Sequence, residues 1–387
     1  MLRTLAIGNY RSLLDLTVPL GPLNVITGPN GSGKSNVYKA LRLLAETATG
    51  GVINSLAREG GLNSTFWAGP DNISERMKKG EVAIQGTHKK DGPARLRLGF
   101  SGDDFGYAIS LGLPPSGHGA FSLDPEIKRE TIWAGESYRP AASLVDRKGP
   151  MIKVRSGRSW EVIEQHMPTF DSLFAHIGDP EKTPEIVSLR ESIRSWRFYD
   201  HFRSDADAPA RLAQLGTRTP VLGNDGQDLA AALQTIREIG DAQALDEAVD
   251  DAFPGATLRI QVQDDNRFAL RFSQEGLLRP LGGGELSDGT LRYLLWIAAL
   301  MTPRPPPLMV LNEPETSLHP DLLPALGRLI SRASERSQVW VVSHASRLIS
   351  ALESHDDCNS IQLDKSFGQT VIPDQGLLER PAWHWPD

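Results

Sequence analysis

Cysteine is almost missing from this 387-residue chain, which has only Cys358. A single thiol excludes an internal disulfide framework and fits a reducing compartment, so a cytoplasmic location is expected. Long apolar runs are missing as well. The longest uncharged apolar stretch, residues 293–301, falls far short of the roughly 20 residues that a membrane helix needs. The start of the chain, MLRTLAIGNYRSLLDL, lacks the layout of a secretory signal. No membrane contact is therefore expected, and any membrane-embedded part would be another chain. Basic charge is not in excess: 41 Lys and Arg against 48 Asp and Glu give a formal net charge of −7. Nucleic acid would have to meet a local patch. There is no internal repeat, and no sustained heptad pattern that would build a coiled-coil arm. The length suits one large domain or two smaller ones.

What is present starts at residues 23–41, LNVITGPNGSGKSNVYKAL. A short apolar strand runs into Gly28-Pro29-Asn30-Gly31-Ser32-Gly33-Lys34-Ser35, and Val37, Ala40, Leu41 and Leu44 follow at helical spacing. The loop matches G-x-x-x-x-G-K-[ST], between the strand and the helix that this phosphate-binding motif requires. Gly28, Gly31 and Gly33 have no Cβ, so the backbone can wrap a polyphosphate with its N–H groups turned inward. The helix N-terminus adds positive potential. Lys34 reaches the β- and γ-phosphates of ATP, and the Ser35 hydroxyl is a ligand for Mg²⁺. Asn30, Ser32 and Asn36 complete the expected nucleotide-binding set.

Before the loop, residues 2–7 and 14–20 read as strands around the turn Asn9-Tyr10-Arg11-Ser12. After the first helix, residues 50–69 are Gly-rich, with a short helix near 53–58. Residues 81–87, 95–101 and 105–111 then alternate between turns such as Lys90-Asp91-Gly92 and Gly102-Asp103, which predicts an antiparallel sheet. Residues 126–133 and 151–154 continue it. Residues 76–158 hold 15 Lys and Arg against 9 Asp and Glu, a local excess of +6. A nucleic-acid-facing surface and a solvated sheet face are both open readings. Helices are expected at 159–165, 169–177, 184–195, 229–239 and 242–252. Between them, residues 196–202 (WRFYDHF) are dense in aromatics that either stack bases or pack a core. Strands resume at 257–263 and 268–273.

The last third carries four further motifs in order. Residues 283–301 read GGELSDGTLRYLLWIAALM, with Ser287 as a helix N-cap before a long buried helix. Residues 308–311 form an apolar strand that ends in Asn312-Glu313-Pro314-Glu315. Thr316-Ser317-Leu318-His319-Pro320 follows, and Leu322, Leu323, Leu326, Leu329 and Ile330 give the next helix one apolar face. Residues 338–342 are another apolar strand, ending at Ser343-His344. The tail has strands at 361–363 and 369–372 and closes with RPAWHWPD, whose two tryptophans suit docking on the body or on a partner.

Together these motifs resemble the ABC-type ATPases of the RecF and SMC kind, in particular their stand-alone AAA-type bacterial members with an N-E-P-E-T-S-L-H-P run. The resemblance implies an α/β fold: a P-loop NTPase core of the ABC-ATPase head type, built from residues 1–158 and 255–387. An antiparallel β-layer and a mostly helical insert, residues 159–254, would be added to it. In such proteins the basic residue of the N-terminal turn touches nucleotide phosphate, a role that falls to Arg11; a solvated turn arginine is the other reading. Leu286-Ser287-Asp288-Gly289 is similar to the LSGG signature, with Asp288 in place of Gly. Ser287 and Gly289 would then bind the γ-phosphate of ATP held by another copy. The strand ending at 312 matches Walker B, but Asn312 replaces the aspartate that holds Mg²⁺ through water. Asn keeps an acceptor oxygen and loses the charge, so slow hydrolysis is expected. Glu313 stands where the general base polarises the attacking water, and His344 stands where a switch histidine contacts the γ-phosphate. With Lys34, these would be the catalytic groups. Residues 316–320 match the loop that crosses the dimer seam, which leaves His319 as a turn or interface residue or a catalyst. Gln85 and Gln165 are the two options for the glutamine loop.

The resemblance implies a homodimer on ATP binding, with composite sites that pair Lys34 and Ser35 of one copy with Ser287 and Gly289 of the other. Relatives act in DNA repair, chromosome maintenance or phage defence. No nuclease motif is recognisable, so cutting would fall to a partner. A non-hydrolysing ATP-dependent switch is the main alternative. A transporter ATPase fits less well, because of the N-terminal turn, the long insert and the LSDG spelling.

Overall fold

Apolar residues that alternate with polar ones make the first segments strands. β1 (Leu2–Tyr10) and β2 (Leu13–Pro19) pair antiparallel, with Leu5 opposite Val18 and Ile7 opposite Leu16. β3 (Leu23–Thr27), buried up to its last residue, leads through residues 28–33 into α1 (Lys34–Thr47). That helix buries Val37, Ala40, Leu41 and Leu44, the stripe its spacing predicts. The computed structural model describes residues 1–70, 75–79, 81–82, 94–115, 120–373, 375–376 and 380–386. They fall into two units: Met1–Leu20 with Gly28–Ser195 and Ile361–Asp387, and Gly21–Thr27 with Trp196–Ser360.

The first unit is built on an eight-stranded sheet in the order β2-β1-β4-β5-β6-β7-β8-β9. Its further strands are β4 (Arg95–Gly102), β5 (Phe105–Gly112), β6 (Glu126–Ala134), β7 (Ser143–Lys148), β8 (Met151–Ser156) and β9 (Ser159–Glu164). All neighbours are antiparallel, and α1 packs against β1 and β4. The expected β-layer is thus present. Residues 83–87 of its first expected strand lie outside the described residues. β7 has no counterpart in the sequence reading, and residues 159–164 form a strand where a helix was expected. There Gly157, at φ 59°, closes a tight turn, and Arg155 pairs with Trp160 across the hairpin, its guanidinium 5.4 Å from the ring. The helix expected at 169–177 shrinks to one turn, Leu173–His176. α2 (Pro184–Arg194) follows as expected.

A buried ion pair ties this sheet to residues 168–173. Glu130 and Arg147 are both fully buried, with Nη1 2.6 Å from Oε2. Glu130 also accepts from the Tyr107 hydroxyl (2.8 Å), the Ser172 hydroxyl (2.6 Å) and the Leu173 amide (2.9 Å). Arg147 donates to the carbonyls of Gly149 and Pro168, at 2.8 Å each, and of Asp171. Burial, and then the negative Glu130, push the Tyr107 hydroxyl well above its usual pKa. Arg147→Met strands a buried carboxylate, so chemical denaturation should show a loss of about 3–5 kcal/mol. A loss below about 1 kcal/mol would mean that the pair is dispensable.

The second unit contains a sheet in the order β10-β15-β16-β3-β17: β10 (Arg197–Tyr199), β15 (Leu308–Asn312), β16 (Gln338–Val342), β3 and β17 (Cys358–Gln362). β10 with β15, β15 with β16 and β16 with β3 are parallel. Such strands are buried on both faces, which explains their unbroken apolar runs. A smaller sheet joins β11 (Gln214–Leu215), β12 (Thr257–Val262), β13 (Arg267–Ser273) and β14 (Leu281–Gly282). The helices are α3 (Leu229–Ile239), α4 (Ala242–Ala252), α5 (Asp288–Leu300), α6 (Leu323–Ser334) and α7 (Ser346–Glu353). Every residue of α5 from Leu291 onward is buried. Tyr199, Phe202 and Trp296 form a ring cluster with centroids 4.8–6.2 Å apart, so these aromatics of the 196–202 run pack the core.

The C-terminal residues belong to the first unit, with a hairpin of β18 (Asp364–Ser366) and β19 (Gln369–Val371). The tail docks on its own sheet: Trp383 lies 5.6 Å from Trp133 and 5.3 Å from Trp385, whose ring lies 6.0 Å from the Arg97 guanidinium.

Candidate functional site

The phosphate loop is held in shape from outside. Gly33 sits at φ 111°, and a Cβ there would lie 2.0 Å from the Thr370 hydroxyl; a Cβ on Gly28, at φ 141°, would lie 2.2 Å from the Leu363 carbonyl. Only glycine fits this approach. Thr370 Oγ1 donates to the Ser32 carbonyl at 2.7 Å and lies 2.7 Å from Ser12 Oγ, which accepts from Asn36 Nδ2 at 2.8 Å. Asn36, expected at the nucleotide, thus braces the loop against the turn between β1 and β2. Arg11, at φ 49°, donates to Glu59 Oε2 from Nε (3.2 Å) and Nη2 (2.9 Å). The Tyr10 hydroxyl bonds the same oxygen at 2.7 Å, and burial followed by that bond raises its pKa strongly.

Inside the loop, the buried Lys34 ammonium donates to the carbonyls of Gly28 (2.6 Å) and Pro29 (3.2 Å). Ser32 Oγ is buried with no partner among the described residues, and nothing approaches within 4 Å of a Cβ built on Gly31. Asn30 and Ser35 are exposed. An ammonium amid backbone carbonyls, an orphaned hydroxyl and open space at the loop tip fit a polyphosphate with a hard cation at Ser35.

In the second unit the parallel register sets three strand ends side by side. Asn312 pairs with Val342, and Val342 pairs with Ile26. The Glu313 amide donates to the Val342 carbonyl (2.8 Å), and the Ser343 amide donates to the Ile26 carbonyl (3.2 Å). Asn312 is half-buried. Glu313 turns out into solvent at φ 49°, a left-handed conformation that few side chains adopt. His344 is exposed, its Nδ1 3.9 Å from Glu313 Oε1 and 3.3 Å from Glu315 Oε1.

Glu315 was not singled out in the sequence. It is 8% exposed, and its Oε1 accepts from Ser343 Oγ (2.7 Å) and from the amides of His344 (2.9 Å) and Ala345 (3.2 Å). A carboxylate is thereby buried at the cost of three donors, and the segment carrying His344 is fixed beside Glu313. His319 caps a short turn and is exposed.

Ser287 caps α5, accepting from the Thr290 amide at 3.1 Å, and is exposed. A Cβ on Gly289 would lie 3.2 Å from the Ser317 carbonyl, so the signature turn and residues 316–317 are adjacent. Two buried side chains of α5 reinforce this. Arg292 donates to the Thr316 carbonyl (2.9 Å), the Phe202 carbonyl (2.9 Å) and Ser204 Oγ (3.2 Å), while Trp296 Nε1 donates to the Pro314 carbonyl (3.0 Å). Burial lowers the Arg292 pKa. Upstream, Arg279 grips Glu285 with both Nη atoms (3.0 and 2.6 Å), which, with the Gly282 amide, brings the Glu285 carboxyl down to about 2. Of the two glutamine-loop options, Gln165 is exposed at the end of β9, and Gln85 lies outside the described residues.

Comparison with known proteins follows the same lines. A family model described as "AAA domain, putative AbiEii toxin, Type IV TA system" matches residues 23–350. A curated relative, the OLD nuclease of Thermus scotoductus, is 48% identical over 44 residues, which is 11% of this chain and 8% of that protein. The match thus spans a small part of that relative. A crystal structure of the SmcHead bound to the C-winged helix domain of ScpA superposes with a TM-score of 0.51 at 12% identity, covering 96% of this chain and 97% of that one. At that identity the likeness establishes the fold, a P-loop core of the ABC-ATPase head type.

Proposed function

We propose, from the premise that this chain belongs to the AAA domain family whose model spans most of its length and is an ATPase of the SMC/RecF type, that it binds and hydrolyses ATP as a nucleotide-sandwich dimer. The observation that carries this reading is the register that aligns Ile26, Val342 and Asn312 at one sheet edge. The phosphate loop leaves β3 directly after that edge, and Glu313 and His344 follow the other two strands. Lys34 and the loop amides hold the β- and γ-phosphates. Glu313 accepts a proton from the attacking water, and Nε2 of His344 meets the γ-phosphate. Ser35 and Asn312 would hold Mg²⁺, which neutralises phosphate charge when bound. Ser287 and Gly289 of a second copy close the site, and both reach the surface at the start of α5.

The dimer is proposed to act on DNA or on an effector protein, in repair, maintenance or phage defence. The SMC head of the matched structure is bound by a ScpA domain, which supports a protein partner as the simpler option. Among the described residues no helix is long and apolar enough to cross a membrane.

Asn312 favours a second reading, an ATP-dependent switch with negligible turnover. Phosphate release titrated with Mg²⁺ decides between the two. Asn312→Asp restores a charge at the metal, so half-maximal release should need about tenfold less Mg²⁺. Release that is absent from the wild type and present only in Asn312→Asp would favour the switch. An unchanged midpoint would remove Asn312 from the metal site.

A further inference from the structure

The signature turn departs from its usual spelling at Asp288, and the structure shows what that residue touches. The Arg211 side chain is 6% exposed, although Arg211 stands 77 residues before Asp288. Its Nη2 lies 2.5 Å from Asp288 Oδ1 and 2.7 Å from the Ser204 carbonyl. Nη1 donates to the carbonyls of Leu286 (2.6 Å) and Gly283 (3.2 Å), on either side of the turn. Nε donates to the carbonyls of Asp205 (2.9 Å) and Ser204 (3.1 Å). All three nitrogens are engaged, five of the six bonds run to backbone carbonyls on two segments at 204–205 and 283–286, and a Cβ on Gly283 would lie 2.7 Å from the Arg211 carbonyl. A planar guanidinium satisfies such a divergent set of acceptors; a lysine ammonium, with one nitrogen, does not.

We infer that Arg211 is a positioning residue that presents Ser287 and Gly289 to ATP held by the other copy, with Asp288 as its ionic anchor. This rests on the two-copy reading proposed above. Residue 288 carries a carboxylate because it faces Arg211, and the glycine usual in the signature would leave that guanidinium one acceptor short. None of the Arg211 hydrogen bonds runs to a group proposed to bind nucleotide or react with it. Its loss shifts the turn that carries Ser287, and misplacement of a positioning group by about 1 Å costs about a hundredfold in rate.

The test uses complementation between full-length copies. Arg211→Lys should retain ATP affinity within about threefold and lose phosphate release by about a hundredfold, because its own phosphate loop is intact. Lys34→Ala should fail alone by losing ATP. Mixed in equal amounts, the two variants should recover about a quarter of the wild-type rate: random pairing makes half the dimers mixed, and each mixed dimer has one sound site of two. A variant that merely misfolds gains nothing from the partner. Ser287→Arg mixed with Lys34→Ala serves as the reference pair. Recovery in the reference pair without recovery in the Arg211→Lys pair overturns the role of Arg211 and leaves the two-copy reading standing. Absence of recovery in both pairs removes the two-copy reading, and the inference with it. Full activity of Arg211→Lys alone also overturns it.

Discussion

Lys34→Ala should weaken ATP binding by about 10²–10³-fold in a titration with a fluorescent ATP analogue. The ammonium is buried within the loop and held by the Gly28 and Pro29 carbonyls at 2.6 and 3.2 Å, so its position owes nothing to the ligand. Bonds to charged groups contribute about 1.5–3 kcal/mol each. Two of them to phosphate oxygens, taken toward the lower end of that range because Lys34 also has the Gly28 and Pro29 carbonyls as acceptors, correspond to about 3–4 kcal/mol, and each 1.4 kcal/mol is tenfold in affinity. Alanine favours the first turn of α1, and the helix face that packs is carried by Val37, Leu41 and Leu44. The melting temperature should therefore hold while affinity falls. Affinity unchanged within about threefold would exclude this loop as the nucleotide site.

Glu313→Gln should reduce phosphate release by about 10²–10⁴-fold, the usual worth of a general base, while ATP affinity stays within a few-fold. Glutamine keeps the shape and the solvent-facing pose that φ 49° gives Glu313, and it removes only the proton acceptor. Glu315 is the poorer acceptor, since Oε1 already accepts three protein hydrogen bonds and Oε2, though without a partner among the described residues, is buried away from solvent. A Glu313→Gln protein that hydrolyses ATP at the wild-type rate would assign the base elsewhere.

How much of this was legible in the sequence follows from how local each feature is. The phosphate loop, the strand ending at Asn312 and the strand that leads into Ser343-His344 were readable because each is a contiguous run whose chemistry depends on its own neighbours. Helices α3 and α4 were readable for the same reason, from their apolar spacing. Arg211 and Glu315 were not, because their roles arise between segments 77 and 29 residues apart, and nothing near either residue in the chain announces its acceptors. Residues 143–148 hid a strand because Asp146, Arg147 and Lys148 read as polar, whereas Glu130 on the neighbouring strand buries Arg147. Residues 159–164 are too short for periodicity to decide, and the Gly157 turn made them a hairpin strand. Asn36 was expected in the nucleotide-binding set; that its side-chain amide also bonds Ser12, in a turn 24 residues away, was not legible.

The central claim is that ATP joins two copies of this chain. The most direct measurement is light scattering on Glu313→Gln, which should trap the bound nucleotide, with and without ATP–Mg²⁺. The predicted result is a mass of 42.3 kDa without nucleotide and twice that with it, with the doubling lost when Ser287→Arg is added. A mass that stays at 42.3 kDa while bound ATP is confirmed in the same sample would contradict it.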